Sequence, residues 1–257
     1  MTEQQIQSKL TTKTFGRTIH CFESLPSTNT FAKALCKEQP PEGTLVICDE
    51  QTAGRGRLGR PWVGEKGKNL TFSLILKPQI TPTNYGIISL YAGLAVAQTI
   101  QESTDLEAEC KWPNDILIKG KKICGILSET AAIDKISSYI IIGIGMNVNQ
   151  TDFPGELKPW ATSFALETST PHDRFLLLSQ LLLHLETLYG DIQSNQFRSI
   201  IDSWKHHCRM FGKPVTIDRN GERMTGIAVT VNENGALILR ANEQDIPIHS
   251  GDVTIIR

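Results

Sequence analysis

Several classes of function are excluded by what this 257-residue chain does without. Its 26 Lys+Arg and 27 Asp+Glu leave a net charge of −1, so no charge excess drives binding to a generic polyanion, and basic residues matter only where they cluster. The six cysteines (Cys21, Cys36, Cys48, Cys110, Cys124, Cys208) form no C-x-x-C pair and have no metal-type spacing. They read as reduced core or boundary residues of a cytoplasmic protein. The opening, Met1 to Lys13, is polar and has no secretory leader pattern. No apolar stretch is both long and apolar enough to span a bilayer. Internal repeats, low-complexity tracts and the P-loop pattern G-x-x-x-x-G-K-[ST] are also missing.

What is present reads as a mixed α+β chain. Strands are expected at Thr18–Phe22, Thr44–Asp49 and Leu70–Lys77, with a helix from about Asn29 to Lys37 capped by Ser27 or Thr28. Tyr85–Gln101 is apolar with small residues and reads as a buried helix. Ala108–Trp112 and Ile116–Lys119 read as strands around Pro113-Asn114-Asp115. A tight turn at Gly120-Lys121 then leads into a returning arm through Ile123–Thr130. Tyr139–Val148 is a buried strand broken by Gly143 and Gly145, and glycine inside a strand marks close approach of a ligand or another backbone. Gln150–Thr162 is irregular. Helical periodicity returns at 173–191, with a core stripe of Leu176, Leu177, Leu181, Leu185 and Leu188, and at 196–208.

From Pro214 the character changes. Five short strands (Val215–Asp218, Met224–Val231, Ala236–Arg240, Ile246–His249, Val253–Ile256) are separated by Asn220-Gly221, Asn234-Gly235 and Ser250-Gly251. The first two are hairpin signals. An SH3-like barrel is therefore expected at 212–257, after a larger domain at 1–211. Gly251-Asp252 reads as a plain β-turn, with a contact to a site in the larger domain as the alternative.

Two runs carry chemistry. Gly54-Arg55-Gly56-Arg57-Leu58-Gly59-Arg60-Pro61-Trp62 alternates glycine with arginine, which suits neither a strand nor a helix. It reads as a flexible loop offering guanidinium forks and backbone N–H groups to a phosphate or carboxylate. A disordered RNA-binding segment and a solvated turn are the alternatives; the run is single, short and lies between apolar segments. In Lys111-Trp112-Pro113-Asn114-Asp115-Ile116, Pro113 holds Trp112 extended and puts Asn114 and Asp115 at a sharp turn. Asp115 there either orients a lysine or a Mg²⁺–phosphate complex, or only builds an Asx turn. Lys121 and Lys122 point to opposite faces of their strand. One is solvated; the other faces the space that Gly125 leaves, where a lysine stabilises charge developing on a phosphate or acyl oxygen.

In this order and spacing, Ser27-Thr28-Asn29, Gln51 to Trp62, Lys111 to Ile116, Lys122 to Glu129 and Gly143-Ile144-Gly145-Met146-Asn147 resemble the biotin protein ligase family over about residues 18–257. The resemblance implies a catalytic domain with a mixed β-sheet and helices, similar to class II aminoacyl-tRNA synthetases, followed by the SH3-like barrel. It implies two reactions: biotin and ATP, with Mg²⁺, give biotinyl-5′-AMP and pyrophosphate, and a specific lysine of a biotin carboxyl carrier protein then displaces AMP. A loop that closes over such an anhydride keeps water away from it.

By matching position, the resemblance assigns Ser27, Thr28, Asn29 and Gln51 to biotin's ureido end, with Gly54, Gly56, Gly125 and Gly143 beside the ligand. Arg55 and Arg57 bind its carboxylate and the phosphate. Lys122 is the catalytic lysine, supported by Lys111 and Asp115. Arg60, Trp62, Asn114, Asn147 and Trp160 complete the adenylate site, although Trp160 in an exposed loop also suits a cover for the core. No metal is bound directly except Mg²⁺ arriving with ATP, near Asp115. Repressor-type members carry a DNA-reading domain ahead of the catalytic one. Fewer than twenty residues precede Thr18, so a ligase without operator binding is expected. Homodimers through sheet surfaces are compatible with the resemblance, and a membrane partner is not. A lipoate or octanoate transferase on a related fold lacks this pair of motifs. A non-catalytic sensor would not need Arg55, Lys122 and Asp115 intact.

Overall fold

The computed structural model describes residues 1–132, 138–219 and 221–256. The first sheet contains β1 (Ile19–Leu25), β2 (Thr44–Gln51), β3 (Leu70–Leu76), β4 (Glu109–Lys111), β5 (Asp115–Ile118), β6 (Lys121–Ala132) and β7 (Ser138–Met146). Their spatial order is β1-β2-β3-β7-β6-β5-β4. Only β1 and β2 pair in parallel, so the sheet is mixed. A short helix α1 (Glu3–Gln7) precedes it. Helix α2 (Thr28–Leu35) lies on one face; α3 (Tyr85–Ser103), α5 (Arg174–Gln193) and α6 (Phe197–His206) cover the other. Between them falls the one-turn helix α4 (Phe164–Thr168). Neither α1 nor α4 is long enough to show a periodicity in sequence. Among the described residues, no helix is long and apolar enough to cross a membrane.

Strand β7 shows how composition sets the layers. Ile140, Ile142 and Ile144 are buried in the main core with α3, each contributing roughly 1.5–3 kcal/mol of burial. The alternate positions face α2: Tyr139 and Ile141 pack in a second cluster with Ala32, Leu35 and Val46. Beyond them this face carries only Gly143 and Gly145. The sheet is thus filled under the body of α2 and bare next to its N-terminus.

The C-terminal sheet is fully antiparallel, ordered β11 (Gln244–Ile248), β10 (Leu237–Ala241), β9 (Glu222–Val231), β8 (Pro214–Arg219), β12 (Asp252–Ile255). Its buried residues, Val215, Ile217, Leu237 and Leu239 among them, join the same core cluster as α3 and α6. Trp112 Nε1 donates to Gly235 O at 3.0 Å, a polar tie between the two sheets. Of the Asn220-Gly221 turn, Asn220 lies outside the described residues.

Three expectations shift. The β5–β6 turn is Lys119-Gly120, with φ of 50° and 77°. Two successive positive φ values make the twisted two-residue hairpin turn, and Lys121 already pairs with Ile118. Trp112 stands outside the strands, because the chain turns at Trp112-Pro113. Leu176 is 52% exposed, while Leu178 and Leu182 are fully buried beside Leu177, Leu181 and Leu185. The buried stripe of α5, Leu177, Leu178, Leu181, Leu182 and Leu185, belongs to the core that α5 shares with α3 and α6.

Candidate active site

The bare part of the sheet floors a cavity of about 1100 Å³. Every residue that the family resemblance assigns to the site lines it except Gly54. Gly54 sits behind the wall: a side chain there would collide with the Trp62 carbonyl and meet Gln51 Nε2 at 2.9 Å. Its role is to let the loop fold back, as the bond from Trp62 N to Gly54 O at 2.9 Å shows.

One end is built from the start of α2. Ser27 is the N-cap; its hydroxyl accepts from Thr30 N at 3.4 Å. Thr28 N donates to Gln51 Oε1 at 2.8 Å. Asn29 lies across Gly143, whose neighbours in the sheet are Ser73 and Leu127. Ser73 Oγ donates to Asn29 Oδ1 at 2.6 Å, and Asn29 Nδ2 donates to Leu127 O at 3.2 Å and Glu129 Oε2 at 2.8 Å. Ser27, Thr28 and Asn29 are all buried. This end offers neutral donors and acceptors at fixed angles.

The Arg-Gly loop forms one wall, and its three arginines are already paired. Arg55 Nη2 meets Glu129 Oε2 at 3.3 Å and Thr30 Oγ1 at 3.2 Å. Arg57 Nη1 donates to Asn114 Oδ1 at 3.2 Å and Gly251 O at 3.3 Å, and lies 3.8 Å from Asp252 Oδ1. Burial lowers the Arg57 pKa, and the carboxylates of Asp252 and Asp115 oppose that shift. Arg60 forms an ion pair with Asp252 Oδ2. Asp252 opens β12, so the contact reading of Gly251-Asp252 holds and the plain turn does not.

Lys122 reaches the cavity through an irregularity in the sheet. On β6, Gly125 and Leu127 alternate onto the cavity, while Cys124 and Ile126 belong to the main core. Strict alternation would turn Lys122 to the core side. The β5–β6 register shifts between Ile116 and Leu117, so Cys124 pairs with Ile116 and Lys122 with Leu117. That bulge re-aims Lys122. Its Nζ sits 2.5 Å from Asp115 Oδ1 and 5.6 Å from the Trp62 ring centroid. A Cβ on Gly125 would meet Lys122 Nζ at 3.0 Å. Lys121, next to the Lys119-Gly120 turn at the start of β6, is exposed.

The far end is closed by the segment after β7. Lys122 N donates to Trp160 O at 2.6 Å, and Thr162 N donates to Lys122 O at 2.9 Å. Asn147 Nδ2 donates to Thr162 O at 3.0 Å. The Trp160 side chain is 61% exposed at the rim, so it does not cover the core. Among the described residues, two buried side-chain polar atoms have no partner: Trp62 Nε1 and Asn147 Oδ1. Both residues line this cavity. A buried donor and a buried acceptor left open in one cavity are what a polar ligand would satisfy. The Trp62 indole lies over Gly145, where a side chain would meet Nε1 at 2.6 Å.

Two carboxylates and one glycine join the site without having been assigned to it from the sequence: Glu129, Asp252 and Gly145. Glu129 was readable as the next-but-one residue after Leu127 on a strand whose face is marked by Gly125. Asp252 is open to the sequence only as the second reading of the Gly251-Asp252 turn, and nothing there names its partner, since Arg57 is 195 positions away. Among the described residues, no three or more of His, Cys, Asp and Glu are grouped to hold a metal ion. Asp115 beside the loop arginines suits a Mg²⁺ that stays bound mainly to nucleotide phosphates and water.

The family model described as the biotin/lipoate A/B protein ligase family matches residues 21–147, and that of the biotin protein ligase C terminal domain matches residues 210–255. Fold and cavity thus belong to the class of biotin and lipoate protein ligases. The chain is 37% identical to the bifunctional ligase/repressor BirA of Bacillus subtilis over 257 residues, covering 99% of this chain and 79% of that protein. It is 32% identical to the biotin--[acetyl-CoA-carboxylase] ligase of Mycobacterium tuberculosis, over 84% of this chain and 80% of that one. The biotin protein ligase of Aquifex aeolicus in complex with biotin and ATP superposes with a TM-score of 0.82 at 29% identity, covering 94% of this chain and 99% of that one. The chain belongs to the biotin protein ligase family.

Proposed function

We infer that this protein is an ATP-dependent biotin ligase that attaches biotin to one lysine of a biotin carboxyl carrier protein through biotinyl-5′-AMP. The observation that carries the reading is one cavity joining a neutral hydrogen-bonding end at α2, a lysine, two arginines and the unpartnered Trp62 Nε1 in the middle, and the unpartnered Asn147 Oδ1 at the far end. That sequence of chemistries matches an uncharged ureido ring, a reacting carboxylate and phosphate, and a purine nucleotide.

On this reading Ser27, Thr28, Asn29 and Gln51 hold the ureido ring above Gly143, and Gly125 leaves room for the rest of the ligand. Arg55, held through Nη2 by Glu129, turns its remaining N–H groups to the biotin carboxylate, and Arg57 exchanges Asp252 for the α-phosphate. The carboxylate oxygen attacks the α-phosphorus, and the bond to pyrophosphate breaks. Lys122, oriented by Asp115, stabilises the charge that develops there. Lys111, Asn114 and Arg60 support the phosphates. Asp115 is the residue that would hold the Mg²⁺ brought with ATP, which would supply charge neutralisation at the phosphates. Trp62 Nε1, Asn147 Oδ1 and the Trp160 ring take the adenylate. In the second reaction the carrier lysine amine, having lost a proton, attacks the anhydride carbonyl carbon, and AMP leaves with the electron pair. We assign catalysis to residues 1–211 and a supporting role to 212–257 through Asp252. Free thiols at all six cysteines support a reducing, cytoplasmic setting.

The test is the intact mass of a carrier domain incubated with the protein, ATP, Mg²⁺ and biotin, with lipoate in a parallel tube. One biotin on one lysine is expected. No mass change on a carrier that another biotin ligase modifies would overturn the reading, and a lipoyl adduct would replace it.

A further inference from the structure

Glu129 stands just behind the cavity, on the same side of β6 as Gly125 and Leu127, and its carboxylate is where Asn29 of α2 and Arg55 of the loop meet. It accepts from Asn29 Nδ2 at 2.8 Å and from Arg55 Nη2 at 3.3 Å. We propose that Glu129 is a positioning residue for biotin, setting which way the Asn29 amide points and tying the Arg-Gly loop to the ureido end of the cavity; this rests on the biotin-ligase reading of the site.

Hydrogen-bond polarity fixes the orientation of the Asn29 amide. The oxygen and nitrogen of an asparagine amide have nearly the same shape, so only the neighbours decide their order. On one side Asn29 faces Leu127 O and the Glu129 carboxylate, both of which only accept. Its nitrogen must point there. Its oxygen then faces Ser73 Oγ, which lies between Asn29 Oδ1 at 2.6 Å and Thr28 Oγ1 at 2.8 Å and has one proton to give. The Thr28 hydroxyl is already directed at Gln51 Oε1, 3.1 Å away. Asn29 Oδ1 can only accept, so it takes the Ser73 hydroxyl on one side and presents its remaining lone pair over Gly143. A ureido N–H needs such an acceptor. A glutamine at 129 keeps the shape but can donate as well as accept. Leu127 O, at 3.2 Å, is then the only group left that requires the amide order.

The second contact gives the residue a second effect. Arg55 is 47% exposed and its partner Glu129 23%, so the pair contributes little to stability. What it does is hold the first arginine of the loop beside the helix start, next to Thr30. Filling the ureido end and placing the loop thus share one carboxylate.

The experiment is biotin affinity by titration calorimetry without ATP, and steady-state adenylation, for Glu129→Gln, Asn29→Ala and the double variant. For Glu129→Gln we expect a biotin Kd and KM raised about tenfold, the size of one charge-assisted hydrogen bond misplaced, with kcat at saturating biotin within about threefold and an unchanged melting temperature. In the Asn29→Ala background the same substitution should cost no more than about twofold. Unchanged biotin affinity in Glu129→Gln, or an equal loss with and without Asn29, overturns the proposal while leaving the site reading intact. Unchanged affinity in Asn29→Ala would instead sink the site reading itself.

Discussion

Replacing Gly143 by alanine adds one methyl group at the point where the structure has least room for it. Gly143 does not have a positive φ, so alanine is free to adopt its backbone and the effect is one of space alone. The new Cβ would overlap Asn29 Oδ1, and would lie 2.9 Å from Asn29 Cγ and 3.1 Å from Nδ2. Asn29 is buried on all sides, and its amide has to leave its hydrogen bonds to Ser73, Leu127 and Glu129. Three bonds at about 1 kcal/mol each give about 3 kcal/mol. About 0.5–1 kcal/mol returns from the stiffer unfolded chain. The net of about 2 kcal/mol falls within the usual cost of overpacking and corresponds to a Tm lower by about 4–8 °C for a chain of this size. Biotin affinity should fall at least about a hundredfold, since the added methyl occupies the floor and the displaced amide no longer presents its acceptor. Gly190→Ala is the control: nothing lies within 4 Å of a Cβ there, and helix α5 should gain up to about 1 kcal/mol. The assays are calorimetric biotin titration and thermal unfolding. A Gly143→Ala protein that binds biotin within threefold of the parent at an unchanged Tm would refute the reasoning.

Lys122→Ala should slow biotin-dependent pyrophosphate exchange by about 10²-fold or more while leaving the fold intact; near-normal exchange would move the catalytic role to another residue. Asp252→Ala removes the carboxylate paired with Arg57 and Arg60, so trypsin should cut after Arg55 or Arg57 several-fold faster, and an unchanged cleavage rate would show that the C-terminal sheet does not hold the loop. Glu186 accepts from the backbone amides of Lys13, Thr14 and Phe15 at 2.7, 2.6 and 2.9 Å. Burial pushes its pKa up, but those amides and Arg17 outweigh it and hold the carboxyl below its ordinary 4.5. A depressed carboxylate stabilises the fold fully above its ordinary value and loses that effect as pH falls through the folded value. Glu186→Gln should therefore melt lower than the parent at neutral pH, with the two curves converging in acid below 4.5; a gap that persists there would remove Glu186 as the source.

Much of this architecture is legible along the chain because it depends on neighbours in sequence. Alternation in Ser138–Met146 announces a strand with one isoleucine face and one face that runs out into glycine. The Arg-Gly run excludes regular structure by its own backbone entropy and charge. Lys111, Asn114, Asp115, Lys122, Gly143 and Asn147 stand out through the family resemblance, and the fold brings them to one cavity. The remainder depends on which elements meet. Parity alone puts Lys122 on the core side of β6, and only the bulge opposite Ile116-Leu117, a consequence of pairing with β5, turns it to the cavity. The stripe on α5 has a helical period in any register, and the core that it shares with α3 and α6 takes in Leu178 and leaves Leu176 exposed. Asp252 is an ordinary turn residue until the C-terminal sheet packs beside the loop and brings its carboxylate to Arg57 and Arg60. Glu129 acquires a role only when α2 sets Asn29 across Gly143. Local periodicity and backbone preference are properties of a segment and can be read from it. Counter-ions, hydrogen-bond polarity and the sharing of one carboxylate between two elements are set by distance in space, and the folded chain alone defines that.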